Sequence, residues 1–481
     1  MTDEYEVCVV GGGPSGAALA TRLARLGHHV AIVEQHRFPR PHVGESLSPA
    51  IWPLLESLGV RERVATRGFT QAIEARIRWR GADEERIRVG DGLTVDRGAF
   101  DAILLARAGE AGANVLPPAT ARRPARWGGG WAVPLDDRVL HARFLADATG
   151  RRRLLGGRTT PTSPRTLALH AVWRGGPPLD GAQTRIDALS DGWLWGAHLP
   201  GGGFRAMAFV DPETLVGERG DRERLYRRLL TASPLFADLV TSAALTERVQ
   251  ACNATSYAAA TPIDTNSVRV GEAAFAIDPL SSSGVQTAIQ TGLAAAATVH
   301  SILASDDNPR AVRQYRQYYI DHQGYSVQRH AATAAGLYAE HRPHADAVFW
   351  RRRSAGAPPV PSPSPRIAPL ADLLPLRVRL PAAAALRDTP CLVGDCIELR
   401  RALRHPALDR PVAFLGGSEL APLLDHLPTA PSLADAIGSW DRCLPPGRAL
   451  EIAEWLRRRG LLEIVEEPSE AVCARHEMFA T

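Results

Sequence analysis

Apolar and polar positions along the chain alternate with recognisable periods. Residues 6–10 form a short apolar run, residues 14–26 carry apolar side chains at helical spacing, and residues 30–33 are apolar again. This pattern predicts a strand, a helix and a second strand, a βαβ opening. Phe100, Ile103, Leu104 and Ala108 recur at three- and four-residue intervals, one face of a further helix. An apolar strand at 144–146 runs into Asp147-Ala148-Thr149-Gly150, and residues 166–174 and 204–210 read as strands of another sheet. Residues 267–270 predict a strand leading into a helix of small residues that ends near His300. The polar and aromatic run 308–353 predicts helix.

The pattern then changes. Residues 356–365 read GAPPVPSPSP, too proline-rich for helix or central strand, and predict a linker. Beyond it, three helices are expected at 418–427, 432–440 and 447–459, followed by the strand-like LLEIVE. Helices followed by a short strand suggest a winged-helix-like module. The resulting division is 1–165 with 263–310 for a nucleotide-binding domain, 72–92 with 166–262 for a substrate-domain sheet, and 311–355 for a helical extension. A linker at 356–380 and a C-terminal domain at 381–481 complete it.

Composition narrows the classes. The 481 residues exceed one compact core, and no apolar run reaches membrane-spanning length. With no signal-type apolar segment at the start, a cytoplasmic location without membrane attachment is expected. All 56 basic residues are arginine, so no lysine can act as nucleophile, base or Schiff-base former. Cys391 and Cys396 have four residues between them and no second pair nearby, a poor zinc pattern, and no metal site is expected. Residues 381–481 hold 11 arginines against 15 acidic residues, which argues against a nucleic-acid partner.

The chemistry begins with VCVVGGGPSGAALATRLARLGHHVAIVE. Gly11 allows the tight turn out of the strand, Gly13 lets backbone approach a pyrophosphate, and Gly16 lets the helix pack close to the sheet. Pro14 and Ser15 open that helix, whose free N–H groups attract phosphate. Glu34, at the end of the second strand, is placed for ribose hydroxyls. The preceding strand, following helix and terminal acid together mark a dinucleotide site.

Five later segments carry a resemblance. RPHVGESL (40–47) resembles the PR-x-x-GES-L segment of flavin-dependent halogenases and their relatives, and DRGAFD (96–101) resembles the DR-x-x-FD segment of aromatic-hydroxylase-type flavoproteins. DATGR (147–151) resembles their DASGR strand end, and GEAAFAIDPLSSSGVQTAI (271–289) their second FAD motif. FWRRR (349–353) resembles the FW-x-R segment that closes the halogenase-like core. The resemblance covers residues 5–355. It implies FAD as cofactor and an α/β (α+β) fold: a Rossmann-type FAD domain with an inserted substrate sheet, plus the small C-terminal winged-helix-like domain. It also implies that Arg40, Ser46, Arg97, Asp278, Pro279, Ser283, Gly284 and Val285 contact the cofactor, the last three beside the flavin pyrimidine ring. The family has Asp where this chain has Glu272.

Within that resemblance the reaction is a choice among readings. Halogenases carry a lysine after the GES segment; residues 68–74 here, GFTQAIE, contain none. They also carry WxWxIP, whereas Trp193-Leu194-Trp195-Gly196-Ala197-His198 keeps the two tryptophans and replaces the Ile-Pro. A monooxygenase needs no lysine: reduced flavin that has taken up O2 at C4a offers an electrophilic oxygen to an electron-rich ring. The chain most resembles the flavoproteins that oxygenate peptidyl tryptophan in tryptophylquinone cofactor biogenesis. This implies a protein or peptide substrate docked through the C-terminal domain, with O2 and a reductant, NAD(P)H or a separate reductase, as co-reactants. A flavin halogenase, a flavin reductase or oxidase, and a non-enzymatic flavin sensor are the alternatives. Glu45, His198 and His170 are the acid–base candidates, and Trp193 and Trp195, two apart on a strand, are expected to wall an aromatic pocket.

Overall fold

A computed structural model describes residues 4–175, 183–305, 308–357 and 368–465. It consists of two compact units, Met1–Pro358 with Gly394–Cys396, and Pro359–Val393 with the remainder of the chain.

In the larger unit the opening strand Glu4–Val10 is buried on both faces, as a central parallel strand must be. It pairs in parallel with Val30–Val33 on one side and Val139–Asp147 on the other. Asn114–Val115 and Ser267–Arg269 extend the parallel set, and the antiparallel Gly130–Pro134 and Ala125–Trp127 complete a seven-stranded sheet. Alternation sorts its side chains. Val7, Val9, Ile32 and Phe144 pack under the helices Pro14–Arg25 and Gly284–Leu303, while Cys8, Val10, Val33 and Leu145 pack against Trp131, Val133 and Leu140.

The second sheet has nine strands. Its main path runs Ala244–Leu245, Leu167–Arg174, Phe204–Val210, Gly192–His198, Gln183–Leu189, Thr70–Arg78, Glu85–Thr94 and Ser46–Leu47, with Gln250–Asn253 paired alongside Leu167–Arg174. One face, with Leu169, Trp173, Leu194, Phe204 and Ala208, is covered by helices including Arg222–Thr231. The other carries Trp193, Trp195, Met207 and Phe209 against Trp79, Tyr338 and Trp350. The sheet ends earlier than the expected boundary at 262: Tyr257–Ala259 instead pairs with Thr159–Pro161 and Phe275–Ala276 in a separate three-stranded sheet. The helical run predicted over 308–353 is two helices, Pro309–Ala339 and Val348–Ser354, interrupted around Pro343, whose missing N–H cannot continue the ladder.

In the smaller unit, residues 358–367 of the expected linker lie outside the described residues. The rest of it, expected as linker to 380, is structured. Leu370–Leu373 forms a helical turn, and Val378–Arg379 pairs with Glu463–Ile464. Leu373 and Val378 are buried in the unit's core with Leu424, Trp440, Ile452 and Leu456, so apolar burial holds this stretch. A hairpin of Ala385–Val393 and Cys396–Arg404 precedes three helices, Ala421–His426, Leu433–Trp440 and Arg448–Arg458. The first helix starts later than the expected 418, because Ser418–Glu419 pairs back on Phe414–Leu415 across Gly416-Gly417. The only strand after the helices is the two-residue Glu463–Ile464, among the described residues, so the long hairpin stands where a winged helix has no wing.

Candidate active site and flavin cradle

The glycine fingerprint is fixed by close contacts. Gly11 has φ +111°, and a Cβ there would lie 2.3 Å from the Ala148 carbonyl oxygen. A Cβ on Gly16 would lie 2.0 Å from the Gly11 oxygen, so the helix can approach the strand only with glycine there. Gly13 differs: a Cβ there would meet nothing nearer than the Arg40 guanidinium at 3.6 Å, which leaves the side of approach clear for a phosphate. The helix that follows has proline in its first turn, no side-chain cap and no acidic residue in that turn, so its N–H groups are free for an anion. Glu34 is buried and accepts hydrogen bonds from Gly12 N–H (2.8 Å) and His36 N–H (2.9 Å), which aim its carboxylate beside the glycine turn.

The GES segment is clamped from below. Arg97 holds Asp101 through two nitrogens (3.1 and 3.2 Å) and donates to the carbonyls of Val43 (3.0 Å) and Gly44 (3.1 Å). Arg40 approaches the same Asp101 at 3.5 Å. Arg97 is thus a buried clamp on the loop rather than a free cofactor ligand. Ser46 starts the short strand that pairs with Thr94, and Ser48 donates to Gln286 (2.9 Å), joining the segment to the second motif. That motif ends at Ser283-Gly284-Val285, where the twenty-residue helix Gly284–Leu303 begins. No side chain caps it, a Cβ on Gly284 would meet nothing within 4 Å, and Val285 is buried. Two uncapped helix N-termini and clear backbone at Gly13 and Gly284 fit an extended dinucleotide. Glu272, where the family has Asp, is paired with Arg151 at 3.1 Å.

The tryptophan-bearing face of the second sheet gathers four polar groups. Glu45, 3% exposed, accepts from Gly44 N–H (2.9 Å) and forms an ion pair with Arg205 at 2.7 Å. Arg205 also reaches Glu247 (3.2 Å) and His170 Nδ1 (3.3 Å). Arginine can only donate, so Nδ1 accepts and the His170 proton sits on Nε2. Burial, reinforced by the Arg205 charge, pulls the His170 pKa down to about 4, and the ring is neutral near pH 7.

Glu45 and His170 are therefore brought together, through an arginine the motif reading did not single out. His198 is not: it lies on the opposite face, edge-on to Phe204 at 5.1 Å between ring centroids. Trp193 and Trp195 share the face that carries Met207 and Phe209, both buried. Trp193 stacks on Phe209 at 4.0 Å and donates to the Tyr338 hydroxyl at 3.1 Å. Asp278 caps the turn Pro279–Ser281 and turns its carboxylate to Tyr338, 3.2 Å from each oxygen, so it is an internal acceptor. Burial raises its carboxyl above the usual range. Arg205 and Tyr338 had faint signals in the sequence: an arginine inside the apolar strand FRAMAFV, and a tyrosine on the stripe Tyr319, Gln323, Ala334, Tyr338. Among the described residues no group of three His, Cys, Asp or Glu is placed to hold a metal, and no helix is long and apolar enough to cross a membrane.

This architecture has known counterparts. An FAD binding domain model matches residues 4–119, and the tryptophan halogenase family model matches residues 88–364. Tryptophan 2-halogenase of Chondromyces crocatus is 31% identical over 376 residues, 73% of this chain and 70% of the relative. Among solved structures, the peptidyl tryptophan dihydroxylase QhpG, essential for tryptophylquinone cofactor biogenesis, superposes with a TM-score of 0.73 and 25% identity over 95% of this chain and all of its own. The flavin-dependent halogenase CmlS shares the fold, with a TM-score of 0.75 at 21% identity over 96% of this chain and 98% of that one. A family model spanning more than half the chain and a relative this similar, on a cradle built for FAD, make this protein a member of the tryptophan halogenase family of FAD-dependent oxidoreductases.

Proposed function

We propose that the chain is an FAD-dependent monooxygenase that hydroxylates an electron-rich aromatic ring, a peptide-bound tryptophan, during maturation of a quinone cofactor. The observation that carries this reading is the lack of any lysine in all 481 residues, which leaves no amine to receive and deliver a hypohalous species. The likeness to QhpG along almost the whole of both chains supports the same choice.

The bound flavin, once reduced, supplies the activation of O2. One oxygen atom enters the ring, the other leaves as water, and two electrons come from NAD(P)H or a separate reductase. The ring carbon that gains oxygen loses a proton, and Glu45, oriented by Gly44 N–H and Arg205, is the group that takes it. His170, neutral with its proton on Nε2, is the hydrogen-bond donor beside it. The aromatic wall around Trp193 and Phe209 excludes water and orients the ring. The smaller unit docks the protein substrate; ending the chain after residue 357 should then leave FAD bound while abolishing modification of a protein-borne tryptophan.

The deciding experiment reduces the FAD-loaded enzyme without oxygen, then admits 18O2 in the presence of bromide and a panel of tryptophan-containing peptides. Product carrying 18O and no bromine is the expected result. Brominated product would establish halogenation instead, and reoxidation without label in any product would favour an oxidase or reductase.

A further inference from the structure

We propose that Tyr338 is a positioning residue that couples the aromatic wall of the substrate sheet to the turn leading into the flavin-side helix. Three separate elements meet at its hydroxyl. Trp193, on the strand Gly192–His198, donates its indole N–H to Tyr338 Oη at 3.1 Å. Tyr338, on the long helix Pro309–Ala339, donates to Asp278, with Oδ1 and Oδ2 each 3.2 Å away. Asp278 in turn organises the segment before Gly284. Its carboxylate accepts from Leu280 N–H (3.0 Å), its carbonyl accepts from the Ser281 hydroxyl (3.2 Å), and Ser281 receives the Ser283 hydroxyl (2.8 Å).

The relay is saturated and buried. Trp193, Tyr338 and Asp278 are 2%, 2% and 7% exposed. The phenol has one hydrogen to give and gives it to the carboxylate; its lone pair takes the indole N–H. The ring cannot drift, because Trp79, Phe349 and Trp350 surround it at centroid distances of 6.0, 6.2 and 5.9 Å. Arg353, 6.0 Å from the ring, faces the same carboxylate and also holds Asp211 (2.7 Å). A displacement of Trp193 by an aromatic substrate is therefore transmitted to the turn 278–283 through one oxygen atom, and the reverse holds when the flavin settles against that turn. This coupling rests on FAD binding alone and not on the hydroxylation reading, so an 18O2 result against the latter leaves it standing.

The test is a double-mutant cycle read by FAD affinity and by the visible flavin spectrum, with thermal stability measured alongside. Tyr338→Phe removes only the hydroxyl and should weaken FAD binding about tenfold, the effect of taking one of two donors from a buried carboxylate. Trp193→Phe, though it lies on the substrate sheet, should also weaken FAD binding and shift the flavin bands in the native background. Neither change should appear when it is added to Tyr338→Phe. Unchanged FAD affinity in Trp193→Phe, or an equal effect of it in both backgrounds, would overturn the proposal, even if thermal stability fell in every variant. Should Trp193→Phe fail to fold, the cycle of Tyr338→Phe with Asp278→Asn gives the same decision: non-additive losses in FAD affinity support the coupling, and additive ones refute it.

Discussion

Replacing Arg205 by methionine tests the polar cluster most directly. Methionine fills much of the arginine stem but leaves Glu45, 3% exposed, without the guanidinium 2.7 Å away. Removing one partner of a buried ion pair costs roughly 3–5 kcal/mol, most of it the penalty of a stranded charge. Unfolding entropy of about 2 cal/mol/K per residue, over the roughly 360 residues of the larger unit, converts the lower figure to a melting point about 4 °C lower. The loss should depend on pH in a definite direction. His170, relieved of the Arg205 charge, protonates more readily. This makes the deficit larger at pH 8 than at pH 5. Thermal unfolding of the FAD-loaded enzyme at the two pH values, with Glu45→Gln added to Arg205→Met, reads both. The double variant should recover at least half of the loss at pH 8. An equal deficit at both pH values, with no recovery from Glu45→Gln, would refute the account of Arg205 as the counter-charge of Glu45.

Gly13→Ala should fold normally yet bind FAD at least tenfold more weakly, because its new methyl meets only Arg40 at 3.6 Å and intrudes on the phosphate path; flavin absorbance per protein measures it. Gly16→Ala should instead fail to give soluble holoenzyme, since its methyl would sit 2.0 Å from the Gly11 oxygen. For His170 the native pKa of about 4 lies below the ordinary 6.5, so the unfolded chain binds the extra proton between those values. Stability should therefore fall by up to roughly 3 kcal/mol as pH drops from 6.5 to 4, and His170→Gln should flatten that slope in chemical denaturation across the window. His198→Gln should leave turnover within about twofold while Glu45→Gln lowers it at least a hundredfold in the same assay; the reverse order would move the acid–base group to the other face of the sheet.

The parts of this molecule that were legible in the sequence are those encoded locally. A parallel strand buried on both faces must be an unbroken apolar run, and a turn at φ +111° must be glycine, so the FAD-side opening announces itself in consecutive residues. The polar cluster is different. Glu45, His170, Arg205 and Glu247 come from four distant segments, and only sheet pairing such as His170 opposite Met207 brings them side by side. Alternation correctly places Trp193 and Trp195 together, but both faces of that sheet are apolar, so the pattern alone does not say which face receives the helices. His198 is a candidate by its place just after the tryptophan pair, and its even position on the strand turns it to the other face. The expected linker failed at its far end because Leu373 and Val378 sit between Pro369, Pro375 and Pro381, where too few residues run unbroken to show a period.

Ser15 is the point at which the two cofactor-facing helices touch. A Cβ on Gly292 would lie 2.4 Å from its carbonyl oxygen, and one on Gly271 would lie 2.6 Å from its hydroxyl. At such spacing the helices Pro14–Arg25 and Gly284–Leu303 cannot slide or hinge against each other. The phosphate end and the flavin-ring end of the cradle then behave as a single rigid jaw, and the opposing jaw is the segment 40–47 pinned by Arg97 and Ser48. Parting the cradle therefore has to break the hydrogen bonds that pin segment 40–47, because the two helices leave no gap to widen between them.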